Sequence, residues 1–490
     1  MPDIVRHNPE PQPTQGDSQS DLRGHQAHGL RGPQARGPGG QVDSTTRAIR
    51  AMAAIKLRVC RPGAWRVYRQ LLTNQQLSSD ELSEVAWRKT LRLIDHAIGH
   101  VPFYARRYRA AGVQNARDLK RPEDFELLPV LTRQDLRDSQ DELFAANVSR
   151  RHCRKSSTGG SSGEPVSVYH DRRFPSDMLG WRMLEWWGLH GGDSRALIYH
   201  HTTPLQRLML NVAHWPARRI FMDASSLNPQ RIQEFAVRLC RSRPRLVYSY
   251  GGAAQEVALC IRRLGLAVPP LAAVWVTACP LPLPQRRLLE EAFAAPAYDQ
   301  YGTCEVFWLA AQCRVREGLH VFADGRTIEF LDQRHRSVSA GQMGQIALTD
   351  LENYAFPIIR YLVGDQGRAL QGRCACGISL PLMDAVVGRE SDRLVLPDGT
   401  LVAALAMTCN EHPEAVIAFQ IHQHADGSVT FRVVPNPADR QADRKIEAIL
   451  SGLRRILRHQ VPVRLERVGR IDAPGGKLKY VISDCPRDWS

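Results

Sequence analysis

Residues 155–166 read KSSTGGSSGEPV, so a lysine is followed within nine positions by three glycines and five hydroxyl side chains. Glycine lets the backbone turn its N–H groups inward and lets an anion approach closely. Hydroxyls add rotatable donors, and Lys155 adds positive charge. This chemistry suits a triphosphate. A Walker loop is absent, because Gly163 is followed by Glu164 where that motif needs lysine, and so is a GxGxxG fingerprint. On composition alone the run is equally a flexible Gly/Ser linker.

Lysine is otherwise scarce, since only seven of the 65 basic residues are Lys, and three of them are Lys155, Lys477 and Lys479. A retained lysine in an arginine-rich chain points to a need for a compact ammonium. Lys477 follows Gly475-Gly476, a pair that would let it enter a site.

The elements that must carry these residues are those of an α/β protein. A Leu- and Arg-rich stretch, residues 79–100, predicts a helix leading into VPFYARRYRAAG and LLPVLTRQDLRD. Beyond the glycine run, SVYH (167–170) predicts a short strand, and PSDMLGWRMLEWWGLHGGD a helix ending at Gly191-Gly192. The apolar runs RALIYH, RLVYSY and LAAVWVT then alternate with helical stretches such as PQRIQEFAVRLCRSR and AQEVALCIRRLG. Such alternation predicts a largely parallel sheet.

The chain of 490 residues, 43% hydrophobic and 23% charged, has the composition of an ordinary globular protein, and no apolar run reaches the roughly 18 residues of a membrane span. Residues 1–44 are rich in Gln, Gly, Pro, His and Arg with no apolar core. They read as a disordered tail and not a secretion signal. Eleven dispersed cysteines argue for reduced thiols and a cytoplasmic location. The formal charge of +15 is spread out without interleaved aromatics, which argues against nucleic acid.

Four further segments follow the glycine run in order: YDQYGTCEV (298–306), PIIRYLVGDQGR (357–368), GRESDRLVLPDG (388–399) and APGGKLKYVIS (473–483). With the glycine run, they resemble the adenylate-forming superfamily of acyl-CoA synthetases, and within it the phenylacetate-CoA ligase and capsular-polysaccharide-locus branch. The resemblance covers residues 79–483. It implies a large multi-layer α/β adenylation domain (45–387) and a smaller, mobile α+β C-terminal domain (388–490) bearing the catalytic lysine.

The resemblance also assigns roles. Lys155, Ser156, Ser157, Thr158, Gly159, Gly160, Ser161, Ser162 and Gly163 would hold the pyrophosphate end of ATP. Tyr301 would flank the adenine, Thr303 would lie near the phosphate, Gly302 would belong to the same cofactor-binding segment, and Glu305 would ligate Mg²⁺. The alternative for Glu305 is a solvated carboxylate at a helix start. Asp365 would take the ribose hydroxyls from the end of a strand, or else cap a turn. Arg389 would reach the ribose or phosphate. The family's hinge position falls on Ser391 here, followed by Asp392, which leaves the pivot between them. Lys477 would bridge carboxylate and α-phosphate, with Lys479 its local competitor.

The implied reaction is ATP-dependent activation of a carboxylic acid, aryl acids included, to an acyl-adenylate, followed by transfer to CoA with release of AMP. A transfer to an amine, a hydroxyl or a carrier-protein thiol is the alternative. A non-catalytic Arg-rich binding protein is another, against which the intact Glu305, Asp365 and Lys477 argue. The acyl pocket would lie between Trp186 and Trp187, the turn at Tyr250, and TACPL (277–281), and a homodimer is a further expectation. Cys374 and Cys376 could join Cys313 and His320 in a tetrahedral S₃N zinc site. The alternative is three reduced thiols and a surface histidine.

Overall fold

Ser78 and Glu81 set the start of the first long packing helix. The Ser78 hydroxyl accepts from the Glu81 amide and the Glu81 carboxylate accepts from the Ser78 amide, a reciprocal cap that begins Ser79–His100. Pro102 then opens the next helix, Pro102–Ala110, where its missing N–H costs nothing. The computed structural model describes residues 43–157, 166–199, 203–224, 229–386, 394–398, 400–402, 409, 412–473 and 478–485. Residues 1–42 therefore lie outside the described residues. The first described helix is Ser44–Cys60, capped by Asp43.

The predicted strands form where the apolar runs place them. A hairpin, β1 (Cys153–Ser157) and β2 (Ser167–Asp171), flanks the glycine run. Then come β3 (Arg195–Tyr199), β4 (Arg219–Asp223), β5 (Leu246–Tyr250), β6 (Ala273–Thr277) and β7 (Ala297–Tyr301), followed by the short β8 (Ala310–Ala311) and β9 (Leu319–Val321). A separate antiparallel sheet is built from β10 (Arg326–Leu331), β11 (Gly344–Asp350) and β12 (Tyr361–Gly367). The chain then returns with β13 (Leu382–Met383).

Among the described residues the main sheet has eight strands in the order β13-β9-β8-β7-β6-β5-β3-β4. From β4 to β7 every pairing is parallel, as expected, and the β7 side is finished by antiparallel additions. The parallel strands are covered on both faces, so β6 is buried along its whole length. Helices Pro229–Ser242, Gly251–Leu264 and Leu283–Phe293 pack on one face. Helices Pro62–Asn74 and Asp177–Trp186 pack on the other.

That last helix is shorter than its sequence pattern suggests. It ends at Trp186 because Gly188 turns at φ +73°, a left-handed conformation glycine adopts without strain, before Gly191-Gly192 is reached.

The C-terminal region opens with a ribbon of β14 (Leu394–Val395) and β15 (Leu401–Val402). It continues into a sheet of β16 (Val416–Gln423), β17 (Val429–Pro435), β18 (Val463–Arg467) and β19 (Val481–Ser483), ordered β18-β17-β16-β19. Helix Ala442–Ile456 covers it, and the two share a hydrophobic core of their own. Against the main body this region is fastened by Tyr480 to Gln285 (2.7 Å), Arg470 to Glu256 (3.3 Å) and Arg287 to Glu414 (3.7 Å).

Candidate active site

In a parallel sheet the carboxyl ends of the strands form the open rim, where ligands gather. Here β5 ends at Tyr250, β6 at Thr277 and β7 at Tyr301, so the YSYGG, TACPL and YGTCE segments all leave the sheet at this rim. A Cβ on Gly251 would lie 2.6 Å from the Cys279 sulfur, which shows how tightly the first two segments converge. Between them Ala278 sits at φ +70°, a strained left-handed turn for a residue with a Cβ.

Three cross-links draw the separated motifs together. The Tyr301 hydroxyl donates to Asp365 Oδ2 at 2.7 Å, joining β7 to β12. The Tyr361 hydroxyl meets Glu305 Oε1 at 3.3 Å, joining the same two segments a second time. His170 Nε2 lies 3.0 Å from the Cys304 carbonyl, so the hairpin that flanks the glycine run is tied to the YGTCE loop.

Phe307 strengthens that last tie. His170 stacks on its ring at 4.1 Å, and the Arg154 guanidinium lies 5.0 Å from the ring centroid. Register in the hairpin sets Arg154 opposite His170, so one aromatic ring is gripped by a cross-strand pair. Burial, reinforced by the positive Arg154, pushes His170 down to about 4, which keeps it neutral at pH 7. Behind the loop the Phe307 carbonyl accepts from Arg326 Nε at 2.9 Å, and Arg326 in turn pairs with buried Asp350 at 2.6 Å.

The expected residues fall as follows. Lys155 and Ser156 lie in β1 beside the glycine run, and Ser157 ends that strand. Thr158, Gly159, Gly160, Ser161, Ser162 and Gly163 lie outside the described residues, as do Arg389, Ser391, Asp392 and Lys477. A Cβ on Gly302 would come 2.9 Å from the Gln300 side-chain nitrogen, which would have to shift to admit it. Thr303 closes its turn by accepting from the Val306 amide at 3.0 Å.

Two local readings change. Glu305 is 5% exposed in an irregular loop, so it is neither solvated nor at a helix start. Asp365 lies within β12 instead of at its end, because the β11–β12 pairing continues past it, with a register shift, to Gly344↔Gly367. The carboxylate reaches the site from the strand's interior, where it is 7% exposed.

Trp186 and Trp187 are committed to packing: Trp187 stacks on Tyr298 at 4.8 Å and donates to the Gln312 carbonyl, while Trp186 donates to Gln75. The segment after Lys477 is seated at the same rim. Tyr480 bonds Gln285, and burial raises its hydroxyl far above the usual tyrosine range beside Cys279 and Asp299.

Cys313, His320, Cys374 and Cys376 are brought together with all four donor atoms within 4.8 Å of one another. The Cys313 and Cys374 sulfurs are 3.6 Å apart, and Cys376 Sγ is 3.3 Å from His320 Nε2. Zinc–sulfur bonds of about 2.3 Å at tetrahedral angles put neighbouring sulfurs about 3.8 Å apart, so these spacings fit. His320 Nδ1 lies 3.0 Å from the Leu380 carbonyl, the arrangement that leaves Nε2 free to ligate. His320 is fully buried, so it is no surface histidine. All eleven cysteines are free thiols.

No protein-family profile matches the chain. It is 24% identical over 372 residues to the phenylacetate-coenzyme A ligase of Thermus thermophilus, covering 72% of this chain and 81% of that one. It is 25% identical over 355 residues to the Escherichia coli phenylacetate-coenzyme A ligase, covering 66% and 76%. Among solved structures, 2-hydroxyisobutyryl-CoA ligase in its postadenylation state superposes with a TM-score of 0.71 at 21% identity, over 84% of this chain and 91% of that one. The same ligase scores 0.60 in an open conformation and 0.56 in its thioesterification state.

The architecture is thus that of the adenylate-forming enzymes, a large α/β body with a small α+β region against its rim. In sequence the chain is similar to the phenylacetate-CoA ligases.

Proposed function

We propose that this protein activates a carboxylic acid with ATP to an acyl-adenylate, releases pyrophosphate, and then transfers the acyl group to the thiol of CoA with release of AMP. The observation that carries the reading is the set of three bonds Tyr301–Asp365, Tyr361–Glu305 and His170–Cys304, which converge the ribose, metal and phosphate-loop motifs on one rim.

Joining two anions needs charge neutralisation and alignment more than a protein nucleophile. The carboxylate oxygen attacks the α-phosphorus and the bond to the β-phosphate oxygen breaks. Residues 155–163 receive the leaving pyrophosphate. Asp365 orients the ribose, with Tyr301 flanking the adenine. Lys477 places its ammonium between the carboxylate and the α-phosphate, and Arg389 reaches the ribose or phosphate. Glu305 would hold Mg²⁺ through its one carboxylate, which suits an ion that gives up its water reluctantly, and the ion when bound would supply charge neutralisation at the phosphates.

The whole chain superposes better on the postadenylation state of the related ligase than on its thioesterification state. In the second stage residues 388–490 pivot at Ser391 or Asp392, withdrawing Lys477. CoA sulfur then attacks the acyl carbon, and AMP leaves. The use of ATP and CoA supports a cytoplasmic location. Cys313, His320, Cys374 and Cys376 hold a structural zinc ion, supported by their spacing and the His320 orientation.

The test is pyrophosphate release across aryl and aliphatic acids, with and without CoA, beside Lys477→Ala. The expected result is carboxylate-dependent pyrophosphate, CoA-dependent AMP, and loss of both in the variant. Full activity in Lys477→Ala would overturn the lysine assignment, and a requirement for an amine or hydroxyl acceptor would overturn the CoA step.

A further inference from the structure

Large exposed apolar side chains are concentrated in one place. Thirteen occur among the described residues, and eight of them lie on or just beyond two helices, Ser44–Cys60 and Pro204–His214. On the second helix Leu205, Leu208, Met209 and Val212 recur at positions i, i+3, i+4 and i+7, with Trp215 following. Each is more than 60% exposed. Helix Pro204–His214 has no buried residue at all. On the first helix Met52, Ile55 and Val59 form a matching exposed stripe, with Ile55 at 61% and Val59 at 71%.

The two stripes are neighbours. Lys56, next to Ile55, donates to the carbonyls of Ala213 (3.0 Å) and Trp215 (2.9 Å) and so caps the end of the second helix. The first helix is itself rooted in the body by buried Ala53 and Leu57 and by Arg50, which pairs with Asp193 at 2.6 Å. One apolar face is therefore built from two adjoining helices.

Its charge selects the occupant. Besides Arg50, which Asp193 neutralises, the two helices contain Arg47, Lys56, Arg58 and Arg207 and no acidic residue, and Asp43 stands at the first helix's N-cap. A second copy of this chain would bring the same positive rim against itself, on a molecule of formal charge +15. The preceding residues 1–42 carry four acidic and four arginine side chains, so they offer no net negative charge to match it. No described helix is long and apolar enough to cross a membrane. An apolar stripe ringed by cations suits a surface that is itself apolar beneath negative charge.

We propose that this face docks the protein on the surface of an anionic phospholipid membrane, with the stripe from Leu205 to Trp215 entering the interface and the basic rim meeting the headgroups. The proposal is independent of the proposed reaction, because neither helix carries a residue assigned to the nucleotide site.

The test is co-sedimentation of the full chain with vesicles of phosphatidylcholine, with or without about 30% phosphatidylserine, at low and high salt. Binding to the anionic vesicles should be roughly tenfold or more tighter than to neutral ones, and weakened by salt. The double variant Leu208→Gln/Trp215→Gln should lose that binding while keeping its circular dichroism spectrum and its pyrophosphate release, since both side chains lie outside the core. Equal binding to neutral vesicles would overturn the proposal, as would undiminished binding by the variant or no binding by the native chain. Self-association that the variant abolishes would assign the face to a second copy instead.

Discussion

The bond between Tyr301 and Asp365 gives the sharpest test of the nucleotide site. Tyr301→Phe keeps the ring that would flank adenine and removes only the hydroxyl that holds Asp365 Oδ2 at 2.7 Å. The carboxylate is 7% exposed, so water replaces the lost donor poorly. A hydrogen bond to a charged, largely buried group contributes about 1.5–3 kcal/mol, which corresponds to roughly 10- to 150-fold in affinity. The contact is remote from the bond being made, so the loss belongs to binding. KM for ATP should rise by about that factor while kcat for adenylate formation changes less than about threefold. Combining Tyr301→Phe with Asp365→Asn in a double-mutant cycle measures the coupling directly. It should exceed about 1 kcal/mol, because each substitution removes the same bond. An unchanged ATP KM in Tyr301→Phe, or additivity within about 0.5 kcal/mol, would refute the ribose role.

Other substitutions probe separate parts of the structure. Cys376→Ser and Cys374→Ser should abolish stoichiometric zinc, read by elemental analysis, and lower the melting temperature; native protein without zinc would end that reading. Asp299 is fully buried in β7, and desolvation pushes it up to about 6. The burial of its protonated form therefore stabilises the fold below pH 4, and that contribution is lost as pH rises through 6. Asp299→Asn should remove this pH dependence and raise stability at pH 7 by about 3 kcal/mol, measured by denaturant unfolding at both pH values. His170→Ala frees the hairpin from Phe307 and the Cys304 carbonyl, so pyrophosphate release should fall about tenfold or more with circular dichroism unchanged.

Much of this arrangement is legible in the chain. The short runs at 195–199, 246–250 and 273–277, dominated by Leu, Val, Ile and aromatic residues and alternating with helical stretches, point to buried parallel strands. The order of the five motifs carries the resemblance to that superfamily. The four zinc-type ligands are legible by residue type, although pairing Cys313 with Cys374 needs the return of β13 against β9. The ties at His170 and Tyr361 are another matter. His170 reaches a carbonyl 134 residues away, and nothing local marks it except its place in the strand leaving the glycine run. Tyr361 looks like one more residue of an apolar run until the second sheet folds it toward Glu305. The end of the Asp177–Trp186 helix was hidden for a different reason, since the apolar pattern continues past the point where Gly188 reverses the backbone.

The cysteine–histidine cluster closes a circuit in the chain. Cys313 and Cys374 are 61 positions apart in sequence with their sulfurs 3.6 Å apart, and between them the chain leaves the main sheet after β9 to form β10, β11 and β12. Asp365 sits on that excursion. With zinc held at the cluster as proposed, fastening the neck of a loop of this length would limit the open chain's freedom by on the order of 4 kcal/mol. A chelator or oxidant acting on these sulfurs would then slacken the arm that presents Asp365, coupling the proposed hold on ATP to the metal and thiol status of the surroundings.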